Sequence, residues 1–169
     1  MNSARRILII GGIALALWGM GYGLWYAVFA EHQALDGIGA SLSSAFASAA
    51  ERHPERAGAA LAQYRETKYV YDRQVDVHGH WIGLAMILIV LGIGLDRAIF
   101  PERIKLALSL AAFLGAVIFP FGVLLQAVNH GAFPRAVAVI GSALLLIALV
   151  GFTIGFARLR SKSSYGQGR

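Results

Sequence analysis

Four long runs of apolar residues dominate the pattern of hydrophobic and polar positions along the chain. They cover approximately residues 7–30, 77–95, 104–128 and 136–157. Each run meets or approaches the ~20 residues that a helix needs to cross a hydrocarbon core about 30 Å thick. Lipid offers the backbone no hydrogen-bond partner, so each run is expected to be helical. The pattern predicts an all-α integral membrane protein with four transmembrane helices in an antiparallel bundle, forming a single membrane domain over residues 1–169.

The polar segment 31–76 carries two further helical patterns. Apolar residues recur at three- and four-residue steps around Leu35–Ala49 and again from Leu61 onward. Pro54 separates the two patterns, because proline suits the first turn of a new helix. The second pattern runs without a break into the second apolar run, which predicts one long helix from about Glu55 and a helical hairpin outside the membrane. Two helices lying flat on the lipid headgroups are the alternative.

Composition supports the membrane class. The chain is 57% hydrophobic and 14% charged, with a mean hydropathy of +0.63, whereas a soluble domain carries about 25% charged residues. There is no cysteine, which excludes disulfides, thiolate metal sites and covalently attached c-type haem.

The basic residues predict the orientation. Nine of the fifteen lysines and arginines bracket one side of the predicted bundle, before the first span, between the second and third, and after the fourth. The positive-inside rule then places both termini in the cytoplasm and segment 31–76 outside, which predicts a multi-pass protein of the bacterial inner membrane. Residues 158–169 read as a cytoplasmic tail, disordered from Ser161 onward. The net charge of +6 suits anionic lipid headgroups and is no argument for nucleic acid.

Small residues recur on each span at spacings that let membrane helices approach closely. The stripes are Gly12, Ala16, Gly19 and Gly23 on the first span, Gly79 and Gly83 on the second, Gly115 and Gly122 on the third, and Gly151 and Gly155 on the fourth. Aromatic residues, Trp81 among them, gather near one membrane boundary, which is typical of an interfacial belt.

Three histidines are the candidate chemistry. His78 and His80 open the second span, and His130 closes the third. On antiparallel neighbouring helices these imidazoles would lie at one depth, and facing histidines can hold haem iron. His78 and His80 are about 200° apart on a helix, so only one of them is expected to face the bundle.

Other residues extend this candidate site. Asp76 lies one turn before His80, where its carboxylate could support the imidazole as metal-ligating histidines are often supported. Gly122 and Gln126 share a side of the third span with His130, and the glycine would leave a flat slot for a macrocycle. His32, beside Glu31 after the first span, could join His78, His80 and His130 in a copper or zinc site. Haem b, another metal and no cofactor all remain open, because His130-Gly131 is also an ordinary helix ending.

His78-Gly79-His80 opening one span, with Leu124-Leu125-Gln126 and His130-Gly131 closing the next, resembles small four-helix membrane haem proteins. These are cytochrome b-like modules and modules similar to haem–copper oxidase subunit I. The resemblance covers about residues 76–151 and implies at most one haem, near the outer surface.

Two functions are therefore expected. The first is a haem b- or metal-binding electron-transfer subunit of an inner-membrane redox complex. The second is a cofactor-free accessory or assembly subunit that packs through small-residue helix faces. Catalysis by this chain alone is not expected, since no nucleophile–base pair or phosphate loop is visible, although it could be a subunit of an oxidoreductase. The expected partners are the bilayer and other membrane subunits or further copies of the chain.

Overall fold

The computed structural model describes the backbone of residues 2–165 and the side chains of residues 2–158. Within that part of the chain the regular structure is entirely helical: α1 Ser3–Phe29, α2 Glu31–Ala50, α3 Pro54–Gly94, a 3₁₀ turn Leu95–Arg97, α4 Glu102–Gln126 and α5 Ala132–Tyr165. Four helices, α1, α3, α4 and α5, are long and apolar enough to cross a membrane. The expected all-helical class and the four candidate spans are confirmed, and they suggest a multi-pass membrane protein.

Helix α3 is continuous over 41 residues, from Pro54 to Gly94. At about 1.5 Å per residue it is roughly 61 Å long, about twice the thickness of a hydrocarbon core. Arg52, with φ at 60°, and His53 turn the chain between α2 and α3, and Pro54 starts the new helix. The long helix predicted from about Glu55 is therefore confirmed.

The helical surface suits lipid. Large apolar side chains remain exposed along all four long helices, including Leu17, Val90, Leu114 and Ile147. In water such a surface would be a severe aggregation hazard, whereas in a bilayer it meets acyl chains.

Helix α1 packs on α3 through glycine. A Cβ atom on Gly12 would lie 2.9 Å from the carbonyl oxygen of Ala85, and one on Gly19 would lie 2.9 Å from the Cβ of Trp81. Trp81 is only 3% exposed and packs edge-on against the rings of Trp18 and Tyr22. It is therefore a core residue rather than part of the expected interfacial belt.

Helix α4 packs on α5 in the same way. A Cβ atom on Gly115 would lie 2.7 Å from the backbone nitrogen of Leu145, and one on Gly141 would fall against the backbone of Phe119. Helix α4 also contacts α1 and α3, whereas α5 lies almost entirely against α4. One face of α3, which carries Gly79 and Gly83, is consequently left without a covering helix.

Polar contacts join the helices at two ends. At the end where α1 begins, Arg5 Nη1 donates to Asp96 Oδ2 at 3.0 Å and Asn2 Nδ2 donates to Glu102 Oε2 at 3.0 Å. At the other end, which we call the α2 end, α2 lies along α3, and the Tyr71 hydroxyl donates to Glu31 Oε1 at 3.4 Å.

Two helix endings differ from expectation. Helix α4 ends at Gln126, one turn before His130, and the Asn129 side chain accepts a hydrogen bond from the Gly131 amide at 2.8 Å. His130-Gly131 is therefore a turn and not a helix ending.

Helix α5 continues to Tyr165, so the tail expected from Ser161 is helical up to that residue. Its last residues, 166–169, lie outside the described part of the chain.

Candidate functional site

His78 faces α1. Its Nδ1–H donates to the carbonyl oxygen of Gly19 at 2.9 Å, because a carbonyl can only accept. The ring also fills the space beside Gly23, where a Cβ atom would collide with it. This imidazole therefore ties α1 to α3 and is committed to packing within the chain.

His80 faces α4 instead. Its Nδ1–H donates to the backbone carbonyl oxygen of Asp76, and its ring packs edge-on against Phe119 with the centroids 4.9 Å apart. The Asp76 carboxylate, which was expected to support His80, lies 3.3 Å from Arg73 Nη1. An imidazole with its single proton on Nδ1 carries a lone pair on Nε2, and no hydrogen-bond partner for Nε2 of His80 occurs within the described residues.

His130 lies at a different level from His80. Its ring packs edge-on against Tyr69 and its Nε2 lies 3.5 Å from Glu66 Oε1. Tyr69 precedes His80 on the same helix by a distance of roughly 16 Å at the helical rise of about 1.5 Å per residue. The common depth expected for the three imidazoles is not observed, because the turn after α4 extends beyond the end of that helix.

The expected slot beneath His130 is closed. A Cβ atom on Gly122 would fall against the backbone of Ala138, so α5 already covers this glycine. Gln126 Nε2 donates to the Gly122 carbonyl oxygen at 3.4 Å. No flat surface is left there for a macrocycle.

The remaining metal candidates are also apart. His32 is exposed on α2, with its Nε2 3.5 Å from Asp36 Oδ2, and Glu31 contacts Tyr71. Within residues 2–158, no group of three or more histidine, aspartate or glutamate side chains is placed to hold a metal ion. The described residues of one chain therefore do not fit a haem or a multi-ligand metal site.

An open groove on α3 is the feature that the structure adds. It has a volume of about 500 Å³ and is lined by Val75, Asp76, Gly79, His80, Gly83, Leu84 and Ile87. A Cβ atom on Gly79 or Gly83 would meet nothing within 4 Å. The other glycine pairs differ: Gly12 and Gly19, Gly115 and Gly122, and Gly151 and Gly155 are all closely covered by helices or side chains of this chain.

Sequence spacing could not single out this groove, because a separation of four residues occurs on both covered and open helix faces. The weak signal that was available is the Gly-x-x-x-Gly spacing of Gly79 and Gly83 within an apolar segment.

No protein-family model matches this chain, and no curated protein or solved structure matches it. The resemblance to four-helix membrane haem proteins therefore stays a prediction.

Proposed function

We propose that this chain is an accessory or assembly subunit of a membrane complex, and that a transmembrane helix of a partner subunit packs in the α3 groove. The observation that carries the proposal is the contrast between glycine pairs. The pairs Gly12 and Gly19 on α1, Gly115 and Gly122 on α4, and Gly151 and Gly155 on α5 are covered within the chain, whereas Gly79 and Gly83 on α3 face open space.

The proposal includes a topology. The four long helices form an antiparallel bundle in the bacterial inner membrane, with both termini in the cytoplasm and an α2–α3 hairpin outside. Contacts at the two ends support this arrangement, since residues near the N-terminus meet Asp96 and Glu102 while α2 lies along the first half of α3. The distribution of basic residues supports the orientation.

A partner helix is a better occupant of the groove than lipid alone. Glycine on a lipid-facing surface adds no side-chain packing, whereas against another helix it allows the two backbones to approach and gain dispersion energy. The lining from Val75 to Ile87 extends roughly 18 Å along α3 at about 1.5 Å per residue, which covers more than half of the hydrocarbon core.

The polar end of the groove adds specificity. Asp76 and His80 line it together, and the free Nε2 of His80 can accept a hydrogen bond from a partner side chain. Polar contacts of this kind join helices across membrane interfaces.

A haem b or metal shared with the partner is a second candidate function. It is favoured by the hydrogen bond from His80 Nδ1 to the Asp76 carbonyl, because that bond fixes the tautomer that a metal-ligating imidazole needs. The partner would have to supply the other ligands, since His78 and His130 face elsewhere. A Soret band in the isolated complex that is lost in His80→Ala would support this function, and a colourless, metal-free complex would exclude it.

Site-specific photo-crosslinking in native membranes tests the main proposal. A photoreactive residue in place of Ile87, which lines the groove and is 40% exposed, should form an adduct with one partner protein. The same residue in place of Ile13 on α1, which is 48% exposed, is the matched control and should meet only lipid. An adduct with the mass of two chains would assign the groove to self-association, and equal labelling from both positions would contradict the proposal.

A further inference from the structure

A second, basic pocket lies at the α2 end, above the groove. It has a volume of about 410 Å³ and is lined by Ala62, Arg65, Glu66, Tyr69, His130 and Arg135. Residues 62–69 come from α3, and the other two come from the turn after α4 and from the start of α5. The pocket therefore exists only because the α4–α5 connection reaches the extension of α3.

The pocket carries two arginines without partners among the described residues. Neither Arg65 nor Arg135 has a carboxylate oxygen within 4.0 Å, whereas the one carboxylate in the pocket, Glu66, lies 3.5 Å from His130 Nε2. Both arginines are exposed. Guanidinium groups bind phosphate through paired, charge-assisted hydrogen bonds, so the lining suits one phosphate group.

The depth of the pocket decides which phosphate can reach it. Tyr69 lies roughly 38 Å from Gly94 along α3, at about 1.5 Å per residue. A bilayer is about 30 Å thick across its hydrocarbon and about 40–45 Å thick including the headgroups. If the end of α3 at Gly94 lies at the outer face of one headgroup layer, Tyr69 falls within the headgroup layer of the opposite leaflet, and Arg65, roughly 44 Å from Gly94 at about 1.5 Å per residue, lies at the outer edge of that layer.

We infer that this pocket binds the phosphate group of a phospholipid in that leaflet, with Arg65 and Arg135 as its ligands. The lipid fastens the start of α5 to the extension of α3, since each of these two elements supplies one arginine. The site is separate from the α3 groove and does not depend on a partner subunit.

Native mass spectrometry of the full chain released from nanodiscs tests the inference. In nanodiscs of phosphatidylglycerol, one lipid should remain bound to the wild-type chain, and the double variant Arg65→Gln/Arg135→Gln should lose it, with retention falling by roughly tenfold for each arginine removed. Arg56→Gln is the matched control, because Arg56 is an exposed arginine on the same helix outside this pocket, and it should retain the lipid.

Two further experiments distinguish a lipid phosphate from a free phosphate ion. Galactosyl diacylglycerol, which has the same acyl chains but no phosphate, should not be retained by the wild-type chain. Millimolar inorganic phosphate should not displace the bound phosphatidylglycerol. Equal retention by the double variant and Arg56→Gln, or retention of the galactolipid, would overturn the site, and displacement by inorganic phosphate would reassign it to a soluble anion.

Discussion

The imidazole of His130 packs edge-on against the ring of Tyr69, with the two centroids 4.8 Å apart. This contact holds the α4–α5 turn beside the extension of α3, roughly 16 Å from the level of His80 at about 1.5 Å per residue. Two imidazoles that bind one metal ion have their nitrogens only about 4 Å apart, since each metal–nitrogen bond is about 2.0–2.1 Å long. His130 is therefore a residue of the α4–α5 turn that contacts the extension of α3, rather than a partner of His80.

The separation of the three histidines predicts the absorption spectrum of the purified chain. We expect the chain purified alone in detergent to show no Soret band, because His78, His80 and His130 have separate neighbours. The measurement is an absorption spectrum with elemental analysis of the same sample. If the chain bound one haem, and both His80→Ala and His130→Ala lost it, these two histidines would bind the same haem iron, which would contradict the expectation.

Gly122 should tolerate no side chain. A Cβ atom there would collide with the backbone nitrogen of Ala138, so Gly122→Ala should force α4 and α5 apart and cost about 1–3 kcal/mol or more. Gly21→Ala is the control, because a Cβ atom on Gly21 meets nothing within 4 Å. Reversible unfolding in mixed micelles measures both changes, and equal midpoints for the two variants would refute the packing of α4 on α5.

Thr67 lies in the interior of the long helix α3. Proline at this position should remove a backbone hydrogen bond and cost about 3 kcal/mol or more, which should expose this part of α3 to protease. Glu55→Pro should be tolerated, because Glu55 lies in the first turn of α3, where backbone N–H groups have no partner within the helix. If limited proteolysis cuts the two variants equally, the segment before the membrane is not a continuous helix.

Cysteine labelling tests the proposed orientation. Ser44 is exposed on α2, so Ser44→Cys should react with an impermeant thiol reagent in intact cells. Ser163→Cys, which follows the last span, should react only after the cells are opened. The natural chain has no cysteine, so no background labelling is expected. The reverse order of reaction would invert the topology.

The sequence predicted the helices well because their signals are local. The apolar period from Leu61 to Ile82 was enough to predict that α3 runs from the polar segment into the second span. The position of His130 along the bundle relative to His80 could not be predicted in this way. It depends on where α4 stops and on a turn that the Asn129 side chain stabilises.

The choice among glycine pairs also lay beyond the sequence. Gly79 and Gly83 share their four-residue spacing with Gly151 and Gly155, yet the first pair is open and the second is covered by Leu108 and Phe100. Which face of a helix is covered depends on the placement of neighbouring helices. Helix α5 lies on α4 and leaves the face of α3 around Gly79 and Gly83 uncovered, and no local pattern records that arrangement.

The size of the native membrane complex tests the central claim most directly. The chain should migrate with its partner in a mild-detergent extract of native membranes. Gly83→Leu should release it as the free chain, because leucine fills the groove, whereas a Cβ atom at Gly83 meets nothing within 4 Å in the chain itself. Gly21→Leu, an equal change at an open glycine of α1, should leave the complex intact. A wild-type chain that runs free, or a complex that survives Gly83→Leu unchanged, would contradict the assignment of the α3 groove as the docking site of a partner helix.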